Sequence, residues 1–195
     1  MPWVIKIGGS LANTPDLPHL LTELVQKGRH KAVIVAGGGQ FADQVRLAQA
    51  RWHFPDSNAH QMALLAMEQY AWMLQGIQPS LQGVSTLAEI HTLLETGEKI
   101  PLWLPCQMTK GRADIEESWE MTSDSLAAWL AQQLQASRLI LVKSAHLPTY
   151  PNSLEQWVQQ GIVDACLPRY VGNFTVSCVN DRAVGALLRG DTQIG

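Results

Sequence analysis

WVIKIGGS, residues 3–10, is the stretch that decides the fold: a short apolar run that ends in a pair of glycines. Leucine and valine then recur at helical spacing over residues 17–25, before Gly28. KAVIVAGGG at residues 31–39 repeats the pattern with a β-branched run typical of a strand covered on both faces, and residues 41–48 predict a helix after it. Two successive units of strand, glycine turn and helix favour a parallel sheet with helices on both sides.

The remainder of the chain continues the alternation of helices and strands. Asp56 and Ser57 are the expected cap of the next helix. Residues 106–120 are polar and lack a clear period, so we expect a loop over the surface. The apolar spacing predicts helices over residues 58–74, 86–95, 123–135, 154–160 and 181–188, and strands over 100–104, 138–143 and 174–179.

Composition limits the class of protein. A chain of 195 residues can bury one sizeable core, so we expect a single domain over residues 1–195. Hydrophobic residues make up 46% and charged residues 16%, which excludes a largely disordered chain, and the net charge of −3 argues against a nucleic-acid binder. No apolar run approaches the roughly 20 residues that cross a bilayer. The sequence begins on a strand rather than a leader, so we expect a cytoplasmic protein with no membrane partner.

The three cysteines are far apart and form no CxxC pair. We interpret Cys106, Cys166 and Cys178 as reduced structural thiols. No histidines stand at metal-ligand spacing, so we expect no metal held by protein ligands.

The helix predicted over residues 58–74 is apolar on most of its faces. Met62, Leu65 and Tyr70 belong to one stripe, but Leu64 and Trp72 widen it nearly all round. Such a helix is buried on most faces, either deep in the core or against a second subunit. For a chain of this size we favour the interface and expect a homodimer or a higher homo-oligomer.

Two glycine clusters, each between a buried strand and a helix, are the most informative chemical feature. Backbone N–H groups at such turns, with the positive end of a helix dipole, suit phosphate or carboxylate groups. Glycines that merely permit tight turns are the alternative. Residues 37–42 also satisfy G-x-G-x-x-A, but residues 51–56 do not form the second strand that a dinucleotide site needs, so that interpretation is disfavoured.

Lys6 lies within the first buried strand, two residues before the glycines. A buried ammonium is costly unless an anion is close, so a polyanion at the end of the strand would stabilise it. Exposure on an edge strand is the alternative.

Residues 6–10, followed by VIVAGGG at 33–39, resemble the amino acid kinase family. Residues 37–46, 59–67, 119–128 and 139–143 resemble its short archaeal branch, which makes a methanofuran precursor.

The resemblance implies a three-layer αβα sandwich that uses ATP and Mg²⁺ to phosphorylate a carboxylate or phosphate oxygen. Lys6 would bridge the transferring phosphoryl group, and Asp124 would orient Lys6 and help to organise magnesium-bound phosphates. An acid that only complements its helix dipole is the alternative for Asp124. The resemblance assigns ATP phosphates to Gly8, Gly9, Ser10, Lys143 and Ser144, and the acceptor to Gly37, Gly38, Gly39, His60 and Ser123.

The chain departs from the family after the strand that ends in Lys143. Many members carry Asp-x-Asp-Gly or a related turn there, whereas this sequence reads SAHLP over 144–148. Larger relatives use a later lysine, and here Lys143 or Arg169 would supply that charge. The resemblance implies a kinase for a small anionic acceptor, and we favour a phosphomonoester in methanofuran-type cofactor synthesis. An acyl-phosphate-forming amino acid kinase and a noncatalytic nucleotide-binding or storage protein are the alternatives.

Overall fold

A computed structural model describes residues 1–144, 153–181 and Val184. Six strands form one sheet: β1 (Trp3–Ile7), β2 (Ala32–Ala36), β3 (Leu81–Val84), β4 (Ile100–Trp103), β5 (Arg138–Lys143) and β6 (Thr175–Asn180). Their order across the sheet is β3-β4-β2-β1-β5-β6, and every pair of neighbours is parallel. The parallel sheet expected from the two opening β-turn-α units is confirmed.

The helices connect successive strands or flank them. A 3₁₀ turn (Gly9–Asn13) follows β1, and the helix predicted over 181–188 falls almost wholly outside the described residues. The α-helices are α1 (Leu17–Gly28), α2 (Gly39–Trp52), α3 (Asp56–Ile77), α4 (Leu87–Thr96), α5 (Cys106–Thr109), α6 (Ser123–Gln133), α7 (Leu154–Gln159) and α8 (Leu167–Tyr170).

Two apolar clusters cover opposite faces of the sheet, as a three-layer αβα sandwich requires. Ile5 and Ile7 of β1 pack with α1 in one cluster, whereas Val4 packs with α6 in the other. Because successive side chains of a strand point to opposite faces, Lys6 projects toward the α6 face. In β5, Leu139 and Leu141 belong to the α6 cluster, so Lys143 projects to that face as well.

Three local expectations are wrong. The β3 strand is absent from the sequence prediction, because four residues that include Gly83 carry little strand signal and pair only at the edge of the sheet. Pro55 rather than Asp56 or Ser57 precedes α3, and no side chain caps it; Asp56 stands in the first turn. The region 106–120 is not wholly a surface loop, since it contains α5 and buries Ile115.

The long helix α3 is buried on one broad side rather than all round. Leu64 and Tyr70 are buried, while Leu65 and Trp72 are 52% and 54% exposed. The helix contributes to both apolar clusters, with Tyr70 in one and Leu64 in the other. Its exposed side is the surface on which the expected subunit contact depends. Among the residues that the structure describes, no helix has the length and apolarity to span a membrane.

Candidate active site

The carboxyl ends of β1, β2 and β5 form the centre of the candidate site. These three strands are neighbours, and the chain leaves β1 and β5 toward opposite edges of the sheet. In open parallel sheets, ligands bind in the crevice at such a point, where the direction of the connections reverses. Both glycine clusters and Lys143 lie at the carboxyl ends of these strands, so the topology brings together segments that are more than 100 residues apart.

The two glycine clusters are in direct backbone contact. A methyl group at Gly9 would lie 2.2 Å from the backbone nitrogen of Gly39, and one at Gly37 would lie 2.7 Å from the nitrogen of Gly9. Gly39 also has a positive φ of 52°, a conformation that favours glycine. Glycine at these positions therefore does more than permit tight turns. It allows the two strand-to-helix loops, residues 8–10 and 37–39, to pack against each other through their backbones. The surface that these two loops form together is called the glycine floor below.

Asp124, in the first turn of α6, holds two lysine ammonium groups. Its Oδ1 lies 2.8 Å from Lys6 Nζ, and its Oδ2 accepts a hydrogen bond of 2.6 Å from Lys143 Nζ. Oδ1 accepts no well-aligned hydrogen bond from the described residues, so its contact with Lys6 is a close ion pair only. Lys6 and Asp124 are buried, which excludes the edge-strand interpretation of Lys6.

Burial and charge oppose one another in this triad. Burial alone would raise the pKa of Asp124, but the charges of Lys6 and Lys143 outweigh it and hold that pKa below its ordinary value. Burial lowers the pKa of Lys6; the charge of Asp124 opposes this in part, and the charge of Lys143 lowers the pKa further. One carboxylate facing two lysines leaves the triad with an excess positive charge. Such a site favours an added anion.

Next to the triad lies a cavity of about 480 Å³. Gly38, Gly39, His60 and Ser123, which the resemblance assigns to the acceptor, all line it. Gly37, which the resemblance also assigns to the acceptor, packs against Gly9 and does not line the cavity. Burial lowers the pKa of His60, with a weaker opposing effect of the charge of Glu117, so the imidazole is neutral at neutral pH.

Sequence reasoning missed the polar rim of this cavity. The Arg46 guanidinium lies 4.0 Å from the centre of the Trp119 ring, and both side chains line the cavity. The indole nitrogen of Trp119 donates a hydrogen bond to Gln49 of α2, which ties the loop before α6 to the helix after the second glycine cluster. Leu64, Met67 and Leu126 form the apolar lining.

Two of the residues assigned to ATP phosphates, Gly9 and Ser10, line the same cavity, whereas Gly8, Lys143 and Ser144 do not. Ser10 and Ser144 share a hydrogen bond of 2.6 Å between their hydroxyl oxygens, and Gly8 donates its N–H to Val142 at the end of β5. Arg169 is exposed and pairs with Glu116, so Lys143 is the second cation at the triad. Residues 145–148 of the divergent turn lie outside the described part of the chain.

The donor set suits a polyphosphate better than a protein-held metal. The two loops of the glycine floor pack so closely that a Cβ at Gly9 or Gly37 would collide with the backbone of the other loop. Two lysine ammonium groups lie near these loops. Within residues 1–144 and 153–181, no group of three or more His, Cys, Asp or Glu side chains could hold a metal ion. The three cysteines are free thiols. Burial raises the pKa of Cys106 to about 12 and those of Cys166 and Cys178 to about 11, so all three are protonated at neutral pH.

Comparison with known proteins gives the context of this geometry. A sequence model of the amino acid kinase family matches residues 1–146. The [5-(aminomethyl)furan-3-yl]methyl phosphate kinase of Methanocaldococcus jannaschii is 30% identical over 139 residues, which are 71% of this chain and 63% of that protein. The chain thus aligns with less than two thirds of this relative's length.

Solved structures show the same fold at low identity. The uridylate kinase of Archaeoglobus fulgidus superposes with a TM-score of 0.72 at 14% identity, covering 98% of this chain and 97% of that one. The UMP kinase of Bacillus anthracis gives a TM-score of 0.67 at 16% identity, with coverages of 98% and 93%. At these identities the likeness establishes the architecture of the sandwich.

Proposed function

The chain belongs to the amino acid kinase family, and we propose from that premise that it is an ATP-dependent kinase of a small phosphomonoester. The observation that carries the proposal is the buried Asp124 carboxylate holding Lys6 and Lys143 beside two touching glycine loops. The acceptor we propose is the aminomethylfuran phosphate named in the M. jannaschii relative, or a close analogue used in methanofuran-type cofactor synthesis.

In the proposed reaction, an oxygen of the acceptor phosphate forms a bond to the γ-phosphorus of ATP while the β–γ bridging bond breaks. The products are ADP and an organic diphosphate. ATP, bound with Mg²⁺, supplies the phosphoryl group. Catalysis of this kind needs alignment of the reactants and neutralisation of charge, with no covalent protein intermediate.

The residues of the chain have separate duties in this scheme. Lys6 would neutralise charge on the transferring phosphoryl group, and Asp124 would hold Lys6 and Lys143 in place. The ATP phosphates would bind the N–H group of Gly9 and the residues Ser10, Lys143 and Ser144. The Gly8 N–H is already donated to Val142, so Gly8 would only leave room for the phosphates. Because the excess charge of the triad is positive, it would stabilise the negative charge that shifts onto the β–γ bridging oxygen as the bond from this oxygen to the γ-phosphorus breaks.

The cavity lined by His60 and Ser123 would hold the acceptor. Gly38 and Gly39, at the start of α2, would face its phosphate, since the positive end of a helix favours an anion. The apolar lining fits a small ring better than an amino-acid backbone. The neutral imidazole of His60 would donate or accept a hydrogen bond with the acceptor without adding charge.

Mg²⁺ would be held by the phosphates themselves. No described cluster of carboxylates provides the several oxygen ligands that the ion prefers, and Asp124 is occupied by the two lysines. The metal would therefore enter with ATP.

Two other functions share this fold. Acyl-phosphate formation on an amino-acid carboxylate would use the same nucleotide side. A noncatalytic nucleotide-binding or storage protein would keep the glycine floor without the need for a phosphoryl-bridging lysine. The buried, paired Lys6 favours chemistry over storage, because a buried ion pair adds little to stability by itself.

Calorimetric titration with Mg²⁺ and ATP, followed by turnover assays with phosphomonoesters and carboxylates, tests the proposal. We expect ATP binding that requires Mg²⁺ and turnover restricted to phosphomonoesters. Adding hydroxylamine would trap an acyl phosphate as a hydroxamate and so detect the carboxylate alternative. Tight nucleotide binding with no turnover on either class of acceptor would favour the noncatalytic alternative.

We also propose that the protein is a homodimer that pairs through the exposed side of α3. Leu65 and Trp72 stand seven residues apart on that side, and both are more than half exposed. A stable interface there would bury more than roughly 1,000 Å² in total. Light scattering should give twice the chain mass of 21.5 kDa, and the Leu65→Glu variant should shift toward a single chain. A mass of one chain for the unmodified protein at micromolar concentration would refute the dimer.

A further inference from the structure

Asp164, in the loop between α7 and α8, joins the beginnings of two helices. Its Oδ2 accepts hydrogen bonds from the Thr122 backbone N–H at 3.0 Å, the Thr122 hydroxyl at 2.7 Å and the Ser125 N–H at 3.0 Å. Its Oδ1 accepts a short hydrogen bond from the Ser125 hydroxyl and one of 2.9 Å from the Leu167 N–H. One carboxylate therefore satisfies five donors.

Four of those five donors belong to the two residues that flank the Ser123–Asp124 pair. The first turn of α6 is thus fixed on both sides of Asp124, which lies between the two hydrogen-bonded residues. The Asp124 N–H contacts the Thr122 hydroxyl oxygen at 3.5 Å, a contact at the limit of a hydrogen bond. The carboxylate of Asp164 is therefore the main polar restraint on the backbone that presents Asp124 to the lysines.

The loop that carries Asp164 is itself held by apolar packing. Val163, Cys166 and Leu167 are buried in the cluster that covers the α6 face of the sheet. The packing of these side chains fixes the backbone of the loop and so holds the Asp164 carboxylate in place. It also lies beyond residues 1–146, over which the chain matches the family.

We propose that Asp164 is a positioning residue for phosphoryl transfer, which sets the first turn of α6 so that Asp124 reaches both Lys6 and Lys143. This inference rests on the proposed function for its effect on rate, but its geometric part stands independently. The contacts of the triad are 2.8 and 2.6 Å, so a small shift of the turn would break one of them. Misplacement of a catalytic group by about 1 Å lowers rates on the order of a hundredfold.

Asp164→Asn is the sharpest change, because it keeps the shape of the side chain. An amide nitrogen carries hydrogens and cannot accept, so whichever way the amide is turned, donors at Thr122 or Ser125 lose their partner. Asp114→Asn is the matched control. Asp114 also anchors α6, by accepting a hydrogen bond of 2.9 Å from the Trp129 indole nitrogen, but it does so more than one turn away from Asp124.

Two measurements on these variants test the inference. The ammonium nitrogen resonances of ¹⁵N-labelled lysines at positions 6 and 143 should move in Asp164→Asn and stay in place in Asp114→Asn. Steady-state kinetics of Asp164→Asn should show kcat reduced on the order of tenfold to a hundredfold, with a smaller rise in KM for ATP because Lys143 also binds the nucleotide in the proposed scheme. The control should retain both constants.

The outcomes separate this inference from the proposed function. If the lysine resonances move but the unmodified protein turns over no phosphomonoester, the proposed function fails and the positioning geometry is supported. If the resonances of Asp164→Asn match those of the unmodified protein, the inference is overturned whatever the rate. Should Asp164→Asn fail to fold, Ser125→Ala removes a single hydroxyl donor and should move the same resonances by a smaller amount; unmoved resonances there would equally overturn the inference.

Discussion

Lys6→Ala is expected to lower kcat/KM for phosphoryl transfer by a hundredfold or more while the protein stays folded. A donor directed at charge that develops in the transition state contributes about 3 kcal/mol, close to a hundredfold in rate. The fold should survive because Asp124 keeps a hydrogen bond of 2.6 Å to Lys143 and is not left as an isolated buried charge. Steady-state rates and a melting curve on one preparation measure both quantities.

Two controls accompany Lys6→Ala. Lys6→Met keeps the length of the side chain and fills the same space without the charge, so it should lose as much rate as the alanine variant. Lys31→Ala removes a lysine that lies over the Trp3 ring. Lys31 precedes β2 and so lies at the amino ends of the strands, away from the site, and this variant should retain the rate. A Lys6→Ala variant that keeps full activity, or one that unfolds, would contradict the catalytic role of Lys6.

The second large effect is expected from Asp124→Asn, which should lower both the rate and the stability. Without the carboxylate, two lysine ammonium groups face one another at the buried end of α6, and removal of one partner of a buried pair typically costs about 3 kcal/mol or more. The loss is large because the carboxylate faces two ammonium groups, those of Lys6 and Lys143, rather than one.

The pH dependence of Asp124→Asn has a definite sign. Burial already lowers the pKa of Lys6 below its ordinary 10.5, and loss of the carboxylate lowers it further. A base whose pKa is lower in the folded state binds fewer protons there than in the unfolded chain, so stability rises with pH. The stability deficit of the variant should therefore shrink between neutral pH and about 10.5.

Denaturant unfolding at several pH values, with turnover normalised to folded protein, measures the effect of Asp124→Asn. An acid that only complements the dipole of α6 would contribute a few tenths to about 1 kcal/mol and leave the normalised rate unchanged. A variant that loses stability and keeps its normalised rate would return Asp124 to that ordinary role.

The sheet and half of the site could be predicted because their signals are local. A buried strand, a glycine pair and a helix follow one another within 25 residues of the first methionine, and the same order returns by Gly37. The position of Lys6 in the strand sets its distance from the glycines. Asp124 was indicated only by the family resemblance, since an acid in the first turn of a helix is by itself explained by the helix dipole.

The remaining parts of the site depend on contacts between distant segments. Gln49 meets Trp119 across 70 residues, and Asp164 meets Thr122 across 42. A single arginine on a helix, or a single tryptophan or aspartate in a polar loop, carries no periodic signal. Neither the rim of the cavity nor the hydrogen bonds from Asp164 to α6 could therefore be predicted from spacing. The strand β3 was missed for a related reason: it is short and becomes a strand only by pairing with β4.

The most direct test of phosphoryl transfer to a phosphomonoester is a ³¹P NMR time course with the purified chain, Mg²⁺, ATP and [5-(aminomethyl)furan-3-yl]methyl phosphate, with UMP and glutamate in parallel tubes. We expect the monoester resonance to be replaced by the two coupled resonances of an organic diphosphate, in step with conversion of ATP to ADP, and no such change with glutamate. Formation of ADP without a coupled diphosphate, or no loss of ATP with any phosphomonoester in the presence of folded protein, would contradict it.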